Sequence, residues 1–309
     1  MSGVEKVAIV GAGLIGRSWA IVFARAGIAA HVVDAHPAAE AAARTEIDAA
    51  LADLAAAGLI ADADAVRARI TLGGGLAAAL DGAGHVQECG PEQVEAKRAL
   101  FAQIEALAAP DAVLASSTSG IVASRFANHL ATRGRCLVAH PVNPPHLVPL
   151  VEVAPAPFTD PAAVERTMAL MRAAAQAPIL VRREVDGFVL NRLQGALLTE
   201  ALRLHAAGVV DAEGIDLAMT EGLGMRWAFA GPMETIDLNA PGGLADYVAR
   251  YGAMYAAMQA APVGPDPWTA ETAARLDAEM RARRPADALP ARRRWRDRRM
   301  AALAARKRA

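Results

Sequence analysis

The chain has little of what secreted, membrane-bound or metal-clustered proteins are built from. Its 309 residues include two cysteines, Cys89 and Cys136, each inside an apolar strand-like stretch, so neither a disulfide framework nor a metal centre is expected. No apolar run approaches the roughly eighteen residues that a membrane helix requires. No basic-then-apolar leader precedes the strand pattern that begins at Val4. A cytoplasmic location is therefore expected. Aromatic residues make up only 4%, too few for a full cage around a quaternary ammonium group.

What is present is enough for two domains and a sizeable core, with 54% hydrophobic residues and a net charge of −1. The charge is uneven. From Arg281 onward, twelve Lys or Arg face only Asp287 and Asp297, a local +10 that leaves about −11 elsewhere. Leu289, Trp295, Met300 and Leu303 allow this tail to form an amphipathic helix docked on the body. No aromatic-interleaved RNA motif accompanies it, so neither nucleic acid nor membrane is expected as a partner.

Residues 4–10 read as a strand, followed by Gly11-Ala12-Gly13-Leu14-Ile15-Gly16 and a helical pattern through Trp19, Ile21, Val22, Phe23 and Ala26. Gly27 ends that helix, and a second strand at 30–33 leads to Asp34. This order of strand, glycine turn, helix, strand and acid predicts a dinucleotide site spanning Gly11, Gly13, Leu14, Ile15, Gly16 and Asp34. The helix N-terminus would receive the pyrophosphate. Asp34 would accept from the ribose hydroxyls and repel a 2′-phosphate, and Ala35, His36 and Pro37 supply no compensating arginine, so NAD is expected over NADP.

Further strands are expected at 85–89, 113–116, 137–140, 148–153 and 179–181, with helices between several of them. The fold class is therefore α/β, a Rossmann-type, mostly parallel, doubly wound sheet. Residues 37–70 read as two Ala-rich helices parted near Gly58, and Gly73-Gly74-Gly75 as a loop, because no apolar strand feeds it. After residue 185 the strand signal stops. Residues 1–185 are expected to form the NAD-binding domain and 186–309 an all-helical domain for substrate and dimerisation, its apolar surplus suggesting a homodimer.

The strand ending on His140 and the next, interrupted by Glu152 among aliphatic neighbours, point to a general base with an orienting carboxylate. A buried carboxylate needs a partner, because an unpaired ion costs several kcal/mol, on the order of the effective burial penalty. An imidazole on the adjacent strand is well suited to the role.

The glycine turn, the His140-Pro141-Val142-Asn143-Pro144 box, Glu152 and Gly187-Phe188-Val189-Leu190-Asn191-Arg192 resemble the 3-hydroxyacyl-CoA dehydrogenase superfamily. Residues 139–153 (AHPVNPPHLVPLVEV), 221–229 (EGLGMRWAF) and 292–297 (RRRWRD) are most similar to its L-gulonate 3-dehydrogenase branch, the lambda-crystallins. The resemblance implies that His140 takes the hydroxyl proton, Glu152 orients it, and Ser119 and Asn191 meet the substrate. It also implies that Asn143, Glu92 and Lys97 serve the cofactor. Arg226, in GMRWAF, would hold the carboxylate of a small hydroxy acid such as L-gulonate, giving 3-dehydro-L-gulonate.

In residues 37–70, Arg44, Arg67 and Arg69 are outnumbered by six acids, a net −3 that would repel a CoA carrier. The rival readings are a short-chain 3-hydroxyacyl-CoA dehydrogenase, a carnitine 3-dehydrogenase, and a crystallin-like structural protein that binds NAD without turnover.

Overall fold

The computed structural model describes residues 3–308, the last of these by its backbone alone. Eight strands form one sheet: β1 (Lys6–Val10), β2 (Ala29–Val33), β3 (Ile70–Leu72), β4 (His85–Glu88), β5 (Val113–Ser116), β6 (Cys136–Pro141), β7 (Leu150–Pro155) and β8 (Ala177–Leu180). Their order is β3-β2-β1-β4-β5-β6-β7-β8, and every pairing is parallel except β6 with β7.

The sheet is covered on both faces, as period-two alternation requires. In β1, Val7 and Ile9 join the core containing Trp19, Phe23 and Ile47, whereas Ala8 and Val10 join the opposite core of Phe101, Ile104 and Phe126. β5 and β6 alternate likewise, Ala115 and Ala139 falling on the first side and Leu114 and Val138 on the second. The strand order reverses at β1, and in open α/β sheets the crevice beyond the carboxyl ends at such a switch point is where ligands bind.

The expected Rossmann-type sheet is therefore present, with one strand more than the sequence suggests. β3 is a three-residue edge strand, too short to show a hydrophobic period. It runs straight into Gly73, which corrects the argument that no strand feeds the glycine run. Gly73 and Gly74 do form a loop there. A side chain on Gly73 would approach the Glu40 carboxylate at 3.0 Å, so an acid sits where an anion cradle would have to be.

Two compact units divide the chain. One takes in everything up to Asn191 together with the segment from Arg292, and the other spans Arg192–Ala291. The terminal helix Leu289–Arg308 thus ends within the first unit, where Ala301 is buried and Met300 packs on the Trp19 core. Trp295 remains 44% exposed beneath the Arg292 guanidinium, 3.3 Å from its ring centroid. The second unit is helical throughout its described elements, from Leu190–Ala206 to Ala270–Arg283. No helix among the described residues is long and apolar enough to cross a membrane.

Candidate active site

β1 delivers the chain into a turn that only glycine can make. Gly11 has φ +115° and lies against the Cys89 carbonyl, and a Cβ on Gly16 would run into the Gly11 carbonyl. A Cβ on Gly13 would meet nothing within 4 Å, so the turn opens to solvent at that point. Gly13 caps the helix Leu14–Arg25 without a side-chain bond, leaving its first N–H groups for an anion. At the end of β2 the Asp34 carboxylate accepts from Ala12 N at 2.8 Å and His36 N at 2.9 Å, while Asp34 N donates to Glu40 Oε1 at 3.0 Å. The turn, the bare helix end and the acid together fit a dinucleotide.

β6 and β7 meet antiparallel with His140 directly opposite Glu152, which explains their twelve-residue spacing. Directly opposed residues project to the same face, close enough for side chains to touch. Glu152, fully buried, lies 2.8 Å from His140 Nδ1 through Oε2. An ionised carboxylate only accepts, so Nδ1 carries the hydrogen and Nε2 keeps its lone pair. The other oxygen, Oε1, accepts from Val189 N at 2.7 Å and Leu190 N at 2.9 Å. Burial works to raise the Glu152 carboxyl, but these bonds outweigh it and hold the group below the usual carboxylate range.

The N–H pair is aimed by a tight left-handed turn, with φ +77° at Gly187 and +49° at Phe188. A left-handed phenylalanine is a strained conformation. It persists here with Phe188 fully buried and its ring centroid 5.6 Å from that of His140. The same segment brings Asn191 to Ser119, whose carbonyl accepts from Asn191 Nδ2 at 2.7 Å. Ser119 and Asn143 are both exposed.

A second ionic cluster supports the serine loop. Lys97, which alone would read as a surface lysine, is buried, and its Nζ lies 3.0 and 2.9 Å from the Glu88 oxygens and 3.6 Å from Glu92. Glu92 accepts from Ser119 N at 2.9 Å, Gly120 N at 3.1 Å and the Thr118 hydroxyl. Partial burial raises the Glu92 carboxyl, and these bonds with the Lys97 charge more than reverse that. Glu92 therefore organises the loop that carries Ser119.

The family model for the NAD-binding domain of 3-hydroxyacyl-CoA dehydrogenase matches residues 6–185, and the model for the C-terminal domain matches 187–277. The chain belongs to the 3-hydroxyacyl-CoA dehydrogenase family. A lambda-crystallin homolog of Bos taurus is 45% identical over 298 residues, covering 94% of this chain and 92% of its own. An L-carnitine dehydrogenase of Streptomyces coelicolor is 39% identical, over 90% of this chain and 84% of its own. A solved structure of 5-formyl-3-hydroxy-2-methylpyridine 4-carboxylic acid 5-dehydrogenase, an NAD+-dependent dismutase, superposes with a TM-score of 0.78 at 28% identity, covering 97% of both chains. The likeness to the lambda-crystallin branch is thus borne out, and the chain is an NAD-dependent oxidoreductase of this family.

In this 3-hydroxyacyl-CoA dehydrogenase relative, Arg226 belongs to the second compact unit. The helix Ala212–Leu217 passes through a π-helical turn, Ala218–Leu223, into Gly224–Trp227. A Cβ on Gly224 would stand 2.7 Å from the Met219 carbonyl, so glycine is needed for the wider turn. Such insertions are frequent at functional sites. Arg226 is exposed, and among the described residues it forms no ion pair with Glu221 or Glu234. The hydrogen bond with the Tyr255 hydroxyl raises the Tyr247 phenol, and the Arg226 charge works against that rise.

Sequence reading did not single out Glu88, Gln87, Ser117 or Glu40. Three polar residues, His85, Gln87 and Glu88, in the four-residue, fully buried strand β4 were the available signal. The acidic surface of 37–70 is also less bare than the segment alone implies, because Arg17 pairs with Glu46 at 3.4 Å and Arg298 with Asp53 at 3.1 Å.

Proposed function

We propose that this chain oxidises the 3-hydroxyl of a small free hydroxy acid, L-gulonate to 3-dehydro-L-gulonate being the foremost reaction. The observation that carries this reading is the buried His140–Glu152 pair at 2.8 Å, with Nε2 left free to take a proton. NAD, when bound, supplies the hydride acceptor. His140 removes the hydroxyl proton as the C3 hydride departs, and Glu152 holds the ring and stabilises the imidazolium that forms. Ser119 and Asn191 orient the substrate oxygen, while Gly11, Gly13, Leu14, Ile15, Gly16, Asp34 and Asn143 hold the cofactor. Glu92 and Lys97 act on the cofactor side by bracing the Ser119 loop. Arg226 receives the free carboxylate, for which an unpaired guanidinium is suited.

The working unit in this reading is a cytoplasmic homodimer. Leu193, Phe229, Met233 and Leu238 in the second unit are each more than 60% exposed, an apolar surplus that a second copy would cover.

A second reading, carnitine oxidation, draws support from the tyrosines. The chain has only three, and all lie on one face of the helix Gly243–Ala260: Tyr247 and Tyr251 have ring centroids 4.8 Å apart, and the hydroxyls of Tyr247 and Tyr255 are 2.9 Å apart. A low aromatic content therefore does not exclude an aromatic platform near Arg226 for a quaternary ammonium.

The test is NADH formation by purified protein offered L-gulonate, 3-hydroxybutyrate, 3-hydroxybutyryl-CoA and carnitine side by side. The highest kcat/KM is expected with L-gulonate. A clear preference for the thioester or carnitine would replace the substrate assignment, and no turnover with any of them would favour the structural NAD-binding role.

A further inference from the structure

We propose that Gln87 is a positioning residue for His140, acting through a buried hydrogen-bond network that completes β6 where its neighbour β5 gives out. The proposal rests on the reading of His140 as the base.

β5 pairs with β6 only as far as Ser116 opposite Val138, because the chain then leaves the sheet through Ser117. The next carbonyl on β6 belongs to Ala139, immediately before His140. It is met by a side chain from β4, Gln87 Nε2 donating at 3.1 Å. The same nitrogen donates to Ser117 Oγ at 2.7 Å, and Gln87 Oε1 lies 3.0 Å from His85 Nε2. Ser117 Oγ also accepts from Trp19 Nε1 at 3.0 Å, on the helix that begins at the nucleotide turn.

These partners fix the direction of every bond. The two lone pairs of Ser117 Oγ are taken by Trp19 and Gln87, so its proton goes to Cys89 Sγ at 3.3 Å, and the thiol donates to the Gln87 carbonyl at 3.7 Å. Gln87 is fully buried and His85 nearly so, and a satisfied buried network of this kind is rigid. It fastens the strand end carrying His140 to the nucleotide helix and to the start of the serine loop. None of its side chains is needed for the chemistry itself. Its role is to hold the base at the cofactor, where a displacement of about 1 Å can cost on the order of a hundredfold.

The experiment compares Gln87→Met, Ser117→Ala and His140→Ala using the best substrate of the four-compound panel, unlabelled and deuterated at C3, with NADH affinity measured by fluorescence titration. Gln87→Met keeps the length of the side chain and removes all of its hydrogen bonds. Its kcat is expected to fall about tenfold to a hundredfold, with the NADH Kd and both KM values within about twofold and the isotope effect on kcat enlarged. Ser117→Ala, which removes only the relay through the hydroxyl, should fall about threefold or more in the same pattern. A normal kcat in either folded variant, or a loss matched by an equal loss of NADH affinity, overturns the proposal. If His140→Ala remains active, the base assignment fails and Gln87 has nothing to position. If His140→Ala is inactive while the Gln87 and Ser117 variants are normal, only the positioning role fails.

Discussion

Glu152 orients His140 with one oxygen only. Oε2 engages Nδ1 of the imidazole, while Oε1 is committed to the backbone N–H groups of Val189 and Leu190. The carboxylate therefore fixes both the imidazole and the start of the helix Leu190–Ala206, which carries Asn191. On the proposed reading it acts on catalysis through the imidazole, so the two residues should behave as one unit. His140→Ala is expected to lower kcat about a hundredfold to ten-thousandfold, and adding Glu152→Ala should lower it little further. Steady-state kinetics of the two single variants and the double variant check this. Multiplying losses would show that the residues act independently.

The end of β2, where the proposed nucleotide site would take the adenosine, carries two carboxylates rather than one, since Glu40 caps the Asp34 amide. Both oppose a 2′-phosphate. Asp34→Asn is expected to narrow the preference for NAD over NADP by about tenfold or more, on the order of 1.4 kcal/mol, and Glu40→Gln by a smaller factor. Dissociation constants for NADH and NADPH decide the matter, and an unchanged ratio in Asp34→Asn would remove the acid from cofactor selection.

The nucleotide turn was legible because its chemistry is local: Gly11 and Gly16 are dictated by the turn, and Asp34 follows a strand of ordinary length. His140 and Glu152 were legible because one buried carboxylate on an apolar strand demands a partner, and the antiparallel register supplied it. β3 was not, since three edge residues carry no period. Glu88 was hidden for a different reason, and Lys97 entered only through the family resemblance. Their meaning lies in burial across two elements, which spacing along the chain does not encode. Composition likewise does not reveal that the three tyrosines share one helix face.

Arg226 provides a sharper substrate test than the His140–Glu152 pair. A charge-assisted bond to a carboxylate is worth about 1.5–3 kcal/mol, so Arg226→Ala should lower kcat/KM for a free hydroxy acid roughly tenfold to a hundredfold. The NADH Kd should stay constant. Arg226→Lys should recover only part of the loss, because an ammonium cannot reproduce the bidentate fork. A thioester substrate, having no free carboxylate at that position, should be indifferent to both changes. Equal losses for acid and thioester would show that Arg226 supports the fold of its helix and does not read the substrate.

Acid should destabilise this protein through a histidine that takes no part in proton transfer. Burial pushes His85 from 6.5 down to about 4; the bond with Gln87 opposes this in part, and the Arg166 charge adds to it. In the window between those values the unfolded chain binds a proton that the folded one refuses, so stability rises with pH there and is lost as pH falls. The full shift corresponds to about 3 kcal/mol. His146, also pushed down to about 4 by burial and the Arg25 charge, adds a loss of the same sign. Glu152, held low, adds another once pH drops below its ordinary 4.5. Urea unfolding followed by circular dichroism from neutral pH down to about 4 should therefore show a falling midpoint, and His85→Gln should flatten part of that slope. A lower starting stability of the variant at neutral pH does not affect the test, because the slope alone reports the proton. An identical slope in wild type and variant would mean that His85 is already neutral in the unfolded chain across that range, or charged in the folded one, and the buried network around Gln87 would have to be redrawn.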